Sequence, residues 1–116
     1  MDYSSTYKLA QDIRDSEEYK TYHELKETVM SDETTAALIR EYRKLQMKLQ
    51  LAAAGGQTPD PEDMQRFSGI SALLFSKQEV SGFLLAEMRM QQALTDIFKI
   101  VTEASDLDIG IPGTEG

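Results

Sequence analysis

The sequence lacks the residues on which most compact catalytic and metal sites are built. It contains no cysteine, which excludes disulfides, thiolate metal ligands and a thiol nucleophile. Its single histidine, His23, would have to serve any Ser-His-Asp arrangement, and no Gly-x-Ser-x-Gly turn is present. A carboxylate-bridged pair of metal ions in a helical bundle needs Glu-x-x-His on two helices, and there is no second histidine. We therefore expect a protein that is not an enzyme and that binds no metal or cofactor.

Long hydrophobic runs are also missing. No stretch approaches the roughly 18 apolar residues of a membrane-spanning helix. Residues 1–6 have neither the basic segment nor the apolar core of a signal peptide. These features, together with the lack of cysteine, predict a cytoplasmic protein without a membrane segment.

Basic residues are few. The chain carries 12 Lys and Arg against 20 Asp and Glu, a net charge of −8. Residues 1–54 hold eight basic against ten acidic residues, and residues 55–116 hold four against ten. A field of this sign repels phosphate backbones and anionic lipid, so it argues against nucleic acid or a membrane as the main partner.

The strongest pattern that is present is an apolar stripe near the C-terminus. Its spacing alternates between three and four residues, which predicts one amphipathic helix of about 25 residues. Leu84, Leu85 and Met88 fall outside the stripe, and this indicates burial from more than one side. The stripe consists of Phe83, Ala86, Met90, Ala93, Ile97, Ile100 and Ala104.

Capping and breaking residues divide the rest of the chain into further helices. A first helix is predicted over residues 3–14, with Leu9 and Ile13 four residues apart on its apolar face. Ser16 is a candidate N-cap for a second helix that runs to about residue 30. A third helix is predicted from Glu33, with Asp32 as its candidate N-cap, to the Gly55-Gly56 pair. A fourth begins at Pro61 with Asp60 as its cap. The break near Gln78 fits either one bent helix or two helices.

The third helix has apolar residues on two faces. Leu38, Tyr42 and Leu45 form the main face, whereas Met47 and Leu51 lie on the opposite side. A helix with two apolar faces is typical of one that lies between two partners. The sequence therefore predicts an all-α antiparallel bundle of about five helices, two of them long, that forms a dimer. The bundle is expected to be a single domain over residues 1–105, with a flexible tail over 106–116.

Two surfaces on these helices are candidate sites. The first is a subunit interface formed by the fifth helix and the second half of the third. Glu87 is included because helical geometry places this carboxylate inside an apolar arc, where it must be paired or protonated. Its role is either an ion pair or hydrogen bond that fixes helix register or contact with a partner. The second is a basic patch of Arg40, Arg43, Lys44 and Lys48. The candidate interface residues are Leu38, Tyr42, Met47, Leu51, Phe83, Glu87, Met90 and Ile97.

Short motifs in a fixed order give the chain a resemblance to a known family. Over roughly residues 5–105 the sequence resembles the YlbF/YmcA family of small bacterial helical proteins. The motifs are Ser16-Glu17-Glu18-Tyr19, Tyr22, Asp32, Leu38-Ile39, Tyr42, residues 49–56, residues 80–83 and Ala86-Glu87.

The resemblance implies a helical, commonly self-associated regulator or adaptor. Family members are tied to competence, sporulation and biofilm development, and some join a complex that modulates an mRNA-cleaving ribonuclease. The expected partners are therefore a second copy, family paralogues or such a ribonuclease-associated complex. Some members hold iron–sulfur clusters through cysteines, which this chain lacks. The alternative hypothesis is a regulator that binds nucleic acid through the basic patch.

Overall fold

A computed structural model describes residues 1–106, and all the regular structure in this range is helical. The helices are α1 (Ser4–Asp15), α2 (Glu17–Met30), α3 (Glu33–Ala54), α4 (Pro61–Phe75) and α5 (Gln78–Ser105). The two long helices are α3, with 22 residues, and α5, with 28. This confirms the all-α prediction over the described residues. The predicted tail falls almost entirely on residues 107–116, which lie outside them.

Local chemistry sets the helix ends much as the sequence predicts. The backbone N–H of Tyr19 donates to Ser16 Oγ at 3.2 Å, so Ser16 caps α2. The N–H of Glu62 donates to Asp60 Oδ1 at 2.9 Å, with proline at the first position of α4. At the end of α3, Gly56 adopts a φ of 72°, in the left-handed region that favours glycine.

One helix boundary settles an alternative that the sequence left open, and one helix cap differs from the sequence prediction. Helices α4 and α5 are separate, because α4 ends at Phe75 and α5 begins at Gln78. Asp32 occupies the N-cap position of α3 but makes no side-chain bond to the helix backbone. Its carboxylate accepts a hydrogen bond from the hydroxyl of Thr35 instead, and this bond lowers the pKa of Asp32.

The chain forms two compact units. One, the central unit, consists of residues 24–83; the other, the terminal unit, consists of residues 1–23 with the chain from residue 84 onward. Helices α2 and α5 each run without interruption from one unit into the other.

The central unit holds most of the buried side chains. Its α3 and α4 are antiparallel, because Glu41 pairs with Arg66 while the later Lys48 pairs with the earlier Asp63. Ile39, Leu74 and Phe83 are its largest fully buried side chains. The other buried apolar residues of the unit are Val29, Ala36, Leu45 and Val80.

The terminal unit is covered far less completely. Helix α1 has no buried residue, and in the described part of this unit only Leu84 and Ala86 are buried. Helix α1 spans about 18 Å, whereas α5 from residue 84 to 105 spans about 33 Å at 1.5 Å per residue. A helix of that length cannot cover the whole apolar stripe of α5.

Candidate interaction surfaces

Part of the predicted interface on α3 packs inside the central unit. The ring of Tyr42 stacks on Phe67, with centroids 5.1 Å apart, and meets the edge of Phe75 at 6.2 Å. Leu38 is half-buried. Through these ring contacts Tyr42 joins α3 to α4 inside the central unit.

The second face of α3 is uncovered. Met47 is 63% exposed and Leu51 is 67% exposed. The sequence predicts burial on this face as well as on the main one, and residues 1–106 by themselves do not provide it. An exposed methionine and leucine one turn apart are suited to contact with another molecule.

The four residues of the basic patch do not all face solvent as free cations. Lys48 Nζ lies 2.8 Å from Asp63 Oδ2, and the side chain of Asp63 is largely buried. The Arg43 guanidinium lies over the Phe83 ring, 6.0 Å from its centroid. Arg40 and Lys44 are exposed. Engagement of Arg43 and Lys48 within the protein leaves less positive charge for a phosphate backbone and weakens the nucleic-acid hypothesis.

The ion pair with Asp63 shifts the pKa of Lys48. The hydrogen bond and charge of Asp63 raise the pKa of Lys48 above its ordinary value. The pair borders a recess of about 340 Å³ beside the loop between α3 and α4. Sequence reasoning missed Asp63 as a partner of this lysine, because the two residues are brought together only by the antiparallel packing of α3 and α4.

The predicted interface residues on α5 fall into two environments. Phe83 is fully buried in the central unit, so it offers no surface to a second molecule. Its place on the apolar stripe reflects core packing. Glu87, in the terminal unit, is half-buried.

Met90 and Ile97 line a recess in the terminal unit that we call the α1–α5 groove. Its volume is about 230 Å³, and its exposed lining is almost entirely apolar. Sequence reasoning placed Leu9 and Ile13 on the apolar face of the first helix but did not connect them with α5, because spacing gives the face of a helix and not its neighbour. The groove is lined by Leu9, Asp12, Ile13, Ser16, Glu18, Met90, Ala93, Leu94 and Ile97.

Beyond the groove, the last turns of α5 carry large apolar side chains that are exposed to solvent. Phe98, Ile100 and Val101 are between 51% and 67% exposed. We call these three residues the α5 end patch. Large apolar side chains exposed in this way on a small protein mark candidate interaction sites.

The histidine and acidic side chains of residues 1–106 do not assemble a metal site. This range contains no cluster of three or more histidine, aspartate or glutamate side chains that could hold a metal ion. His23 is exposed and stacks on the Tyr19 ring at 5.5 Å. Across the same residues, no helix is long and apolar enough to cross a membrane.

The fold and surfaces thus define a small all-α protein distinguished by uncovered apolar faces. Comparison with known proteins identifies its family. A family model described as "Control of competence regulator ComK, YlbF/YmcA" matches residues 3–104. The chain belongs to the YlbF/YmcA family, as its motifs indicated, and this family is described by a regulatory role rather than by a reaction.

Individual relatives agree with this assignment. A UPF0342 protein of Halothermothrix orenii is 34% identical over 113 residues, covering 97% of this chain and 94% of the relative. A UPF0342 protein of Symbiobacterium thermophilum is 27% identical, covering 92% and 96%. A solved structure, a protein of unknown function (DUF964) from Bacillus stearothermophilus, has a similar fold. Its TM-score is 0.69 at 20% identity, over 90% of this chain and 91% of that one.

Proposed function

We propose that this protein is a cytoplasmic, non-enzymatic adaptor that regulates other proteins by binding them, and that it works as a homodimer. Its membership of a family described as controlling the competence regulator ComK supports a regulatory role. By extension, the processes it serves are developmental control, such as competence, sporulation and biofilm formation, or RNA processing.

The observation that carries this proposal is the amount of apolar surface left uncovered. Met47 and Leu51 project from α3, and the α5 end patch projects from the terminal unit. Monomeric soluble proteins rarely expose contiguous apolar patches larger than a few hundred Å². A regulator that acts by contact needs such faces, whereas an enzyme would need a convergent polar pocket.

We assign part of this surface to a second copy of the chain. A stable interface buries roughly 800 Å² on each partner. The second half of α3, in the central unit, and the α5 end patch, in the terminal unit, are each proposed as contact surfaces for the second copy. Covering the α5 end patch would also bury part of the stripe that α1 is too short to reach.

Sedimentation-velocity centrifugation over a concentration series tests the homodimer. We expect the wild-type chain to reach dimer mass. Val101→Glu should shift it toward the monomer, because the interface would have to bury an unpaired carboxylate. Met47→Glu should act in the same direction.

Lys99→Glu is the control, since it places the same side chain two residues from Val101 but roughly 160° away around the helix. It should leave the mass distribution unchanged. A wild-type chain that stays at monomer mass at every concentration would rule out the homodimer. A helical circular dichroism spectrum for each variant separates loss of association from loss of folding.

The partner regulated by the adaptor is the second part of the proposal. We propose family paralogues or a ribonuclease-associated complex, to which this chain cannot contribute cysteine ligands for an iron–sulfur cluster. Purification of the tagged protein from its native host, followed by mass spectrometry, tests this. Recovery of the chain alone would point to a stand-alone homodimer.

A further inference from the structure

We propose that the α1–α5 groove binds an amphipathic helix of a partner protein, one whose apolar face is flanked by lysine or arginine. The inference rests on the proposed adaptor function in one respect, because it names the chemistry of the partner. It does not depend on the homodimer, which we assign to other residues.

The shape of the groove favours a helix. Its two long walls are α1 and α5, whose lining residues recur at helical spacing, and Ser16 and Glu18 at the start of α2 complete the lining. Leu9 and Ile13 lie one turn apart on α1, and Met90, Leu94 and Ile97 follow one another on α5. Side chains of a third helix, projecting at intervals of three or four residues, fit between two such rows.

The length of the groove sets the size of the occupant. Residues 90–97 of α5 span about 11 Å, or roughly two helical turns. A volume of about 230 Å³ therefore has to accept the side chains of about two turns, which are two or three apolar anchors. The partner helix consequently carries its apolar anchors at positions i, i+4 and i+7.

The charge around the groove favours basic flanks. The two charged residues in its lining, Asp12 and Glu18, are both acidic. Asp12 also has an exposed ion pair with Lys8 at 3.4 Å, a weak interaction that a partner cation can replace. Residues 1–23 and 84–106 together hold five Lys and Arg against nine Asp and Glu, a net charge of −4. Cations beside the apolar anchors would meet complementary charge along the rim.

The same charge disfavours a second copy of this face as the occupant. Two identical grooves brought together by a two-fold axis would place the carboxylates of Asp12 and Glu18 near those of the other copy. Like charges at a rim weaken association, most strongly at low salt. The acidic rim therefore attracts a basic helix and repels a second copy of the same acidic face.

Binding of designed peptides tests the inference. The probe is a fluorescein-labelled amphipathic peptide with leucine at i, i+4 and i+7 and lysine at the flanking positions. One matched peptide replaces the lysines by glutamate, and another replaces the leucines by alanine. By fluorescence anisotropy we expect the lysine–leucine peptide to bind at least about tenfold more tightly than either, a difference of 1.4 kcal/mol, and to weaken as salt is raised.

Protein variants locate the binding. Ala93→Trp fills the groove and should weaken the lysine–leucine peptide by about tenfold or more, a change of 1.4 kcal/mol. Gln91→Trp adds the same ring at an exposed position of the same helix and should bind as the wild type does. The double variant Asp12→Asn, Glu18→Gln leaves the packing intact and should reduce the preference for lysine over glutamate peptides.

Four results would overturn the inference. The first is equal affinity for the lysine and glutamate peptides. The second is undiminished binding to a folded Ala93→Trp protein. The third is release of monomers from a wild-type dimer as the peptide binds, since this would make the second copy the natural occupant. Failure to bind any peptide by a chain that still dimerises would refute the groove proposal and leave the homodimer standing.

Discussion

At the scale of single residues, the backbone at Gly56 makes the end of α3 depend on glycine. Its φ of 72° is a conformation that costs an L-amino acid roughly 1–2 kcal/mol. No atom lies within 4 Å of where a β-carbon would stand, so the cost of a substitution is conformational and not steric. Gly56→Ala should lower the free energy of unfolding by about 1 kcal/mol in urea denaturation.

Gly69 supplies the matched control. It lies inside α4, and a β-carbon there would also meet nothing within 4 Å. Gly69→Ala should therefore raise the free energy of unfolding by roughly 0.5–1 kcal/mol, because alanine loses less backbone entropy in a helix. If Gly56→Ala raised the free energy of unfolding as Gly69→Ala is expected to, the left-handed conformation at Gly56 would not control the end of the helix.

At the scale of helices, two neighbouring leucines separate the buried face of α4 from its open face. Leu74 is fully buried, whereas Leu73 is more than half exposed. Leu74→Ala should cost about 2–5 kcal/mol of unfolding free energy, since it removes buried methyl groups and leaves a cavity. Leu73→Ala should cost less than about 1 kcal/mol.

Chemical denaturation of the two variants, followed by circular dichroism, checks this difference. The two substitutions remove the same atoms from adjacent positions, so helix propensity cancels between them. Equal destabilisation would mean that Leu73 is also covered, as it would be if a second molecule packed on that side of α4.

Most helix ends and the apolar faces of the helices were predictable because they depend on local chemistry. Ser16, Asp60 and Gly56 act on atoms a few residues away, and sequence shows such relations directly. The pairing of Lys48 with Asp63 was not predictable, because it depends on how α3 turns back onto α4. Periodicity placed Leu9 and Met90 on apolar faces but gave no reason to expect both in one groove.

At the scale of the whole molecule, stability is unevenly distributed between the two units. The central unit buries Ile39, Leu74 and Phe83 completely, whereas Leu84 and Ala86 are the only buried residues in the described part of the terminal unit. Local opening costs least where few apolar side chains are buried. The surfaces proposed for the α5 homodimer contact and for the partner helix both belong to this less protected unit.

Hydrogen exchange followed by mass spectrometry measures this asymmetry. Under native conditions, amides of α3 and α4 should exchange slowly, whereas those of α1 and of α5 beyond residue 87 should exchange much faster, because these segments bury no side chain completely. Addition of the lysine–leucine peptide should slow exchange in the terminal unit and leave exchange in α3 and α4 little changed. Equal protection of all five helices in the unliganded chain at a concentration where it is monomeric would contradict this distribution of stability, since the less buried unit would then open only when the whole chain unfolds.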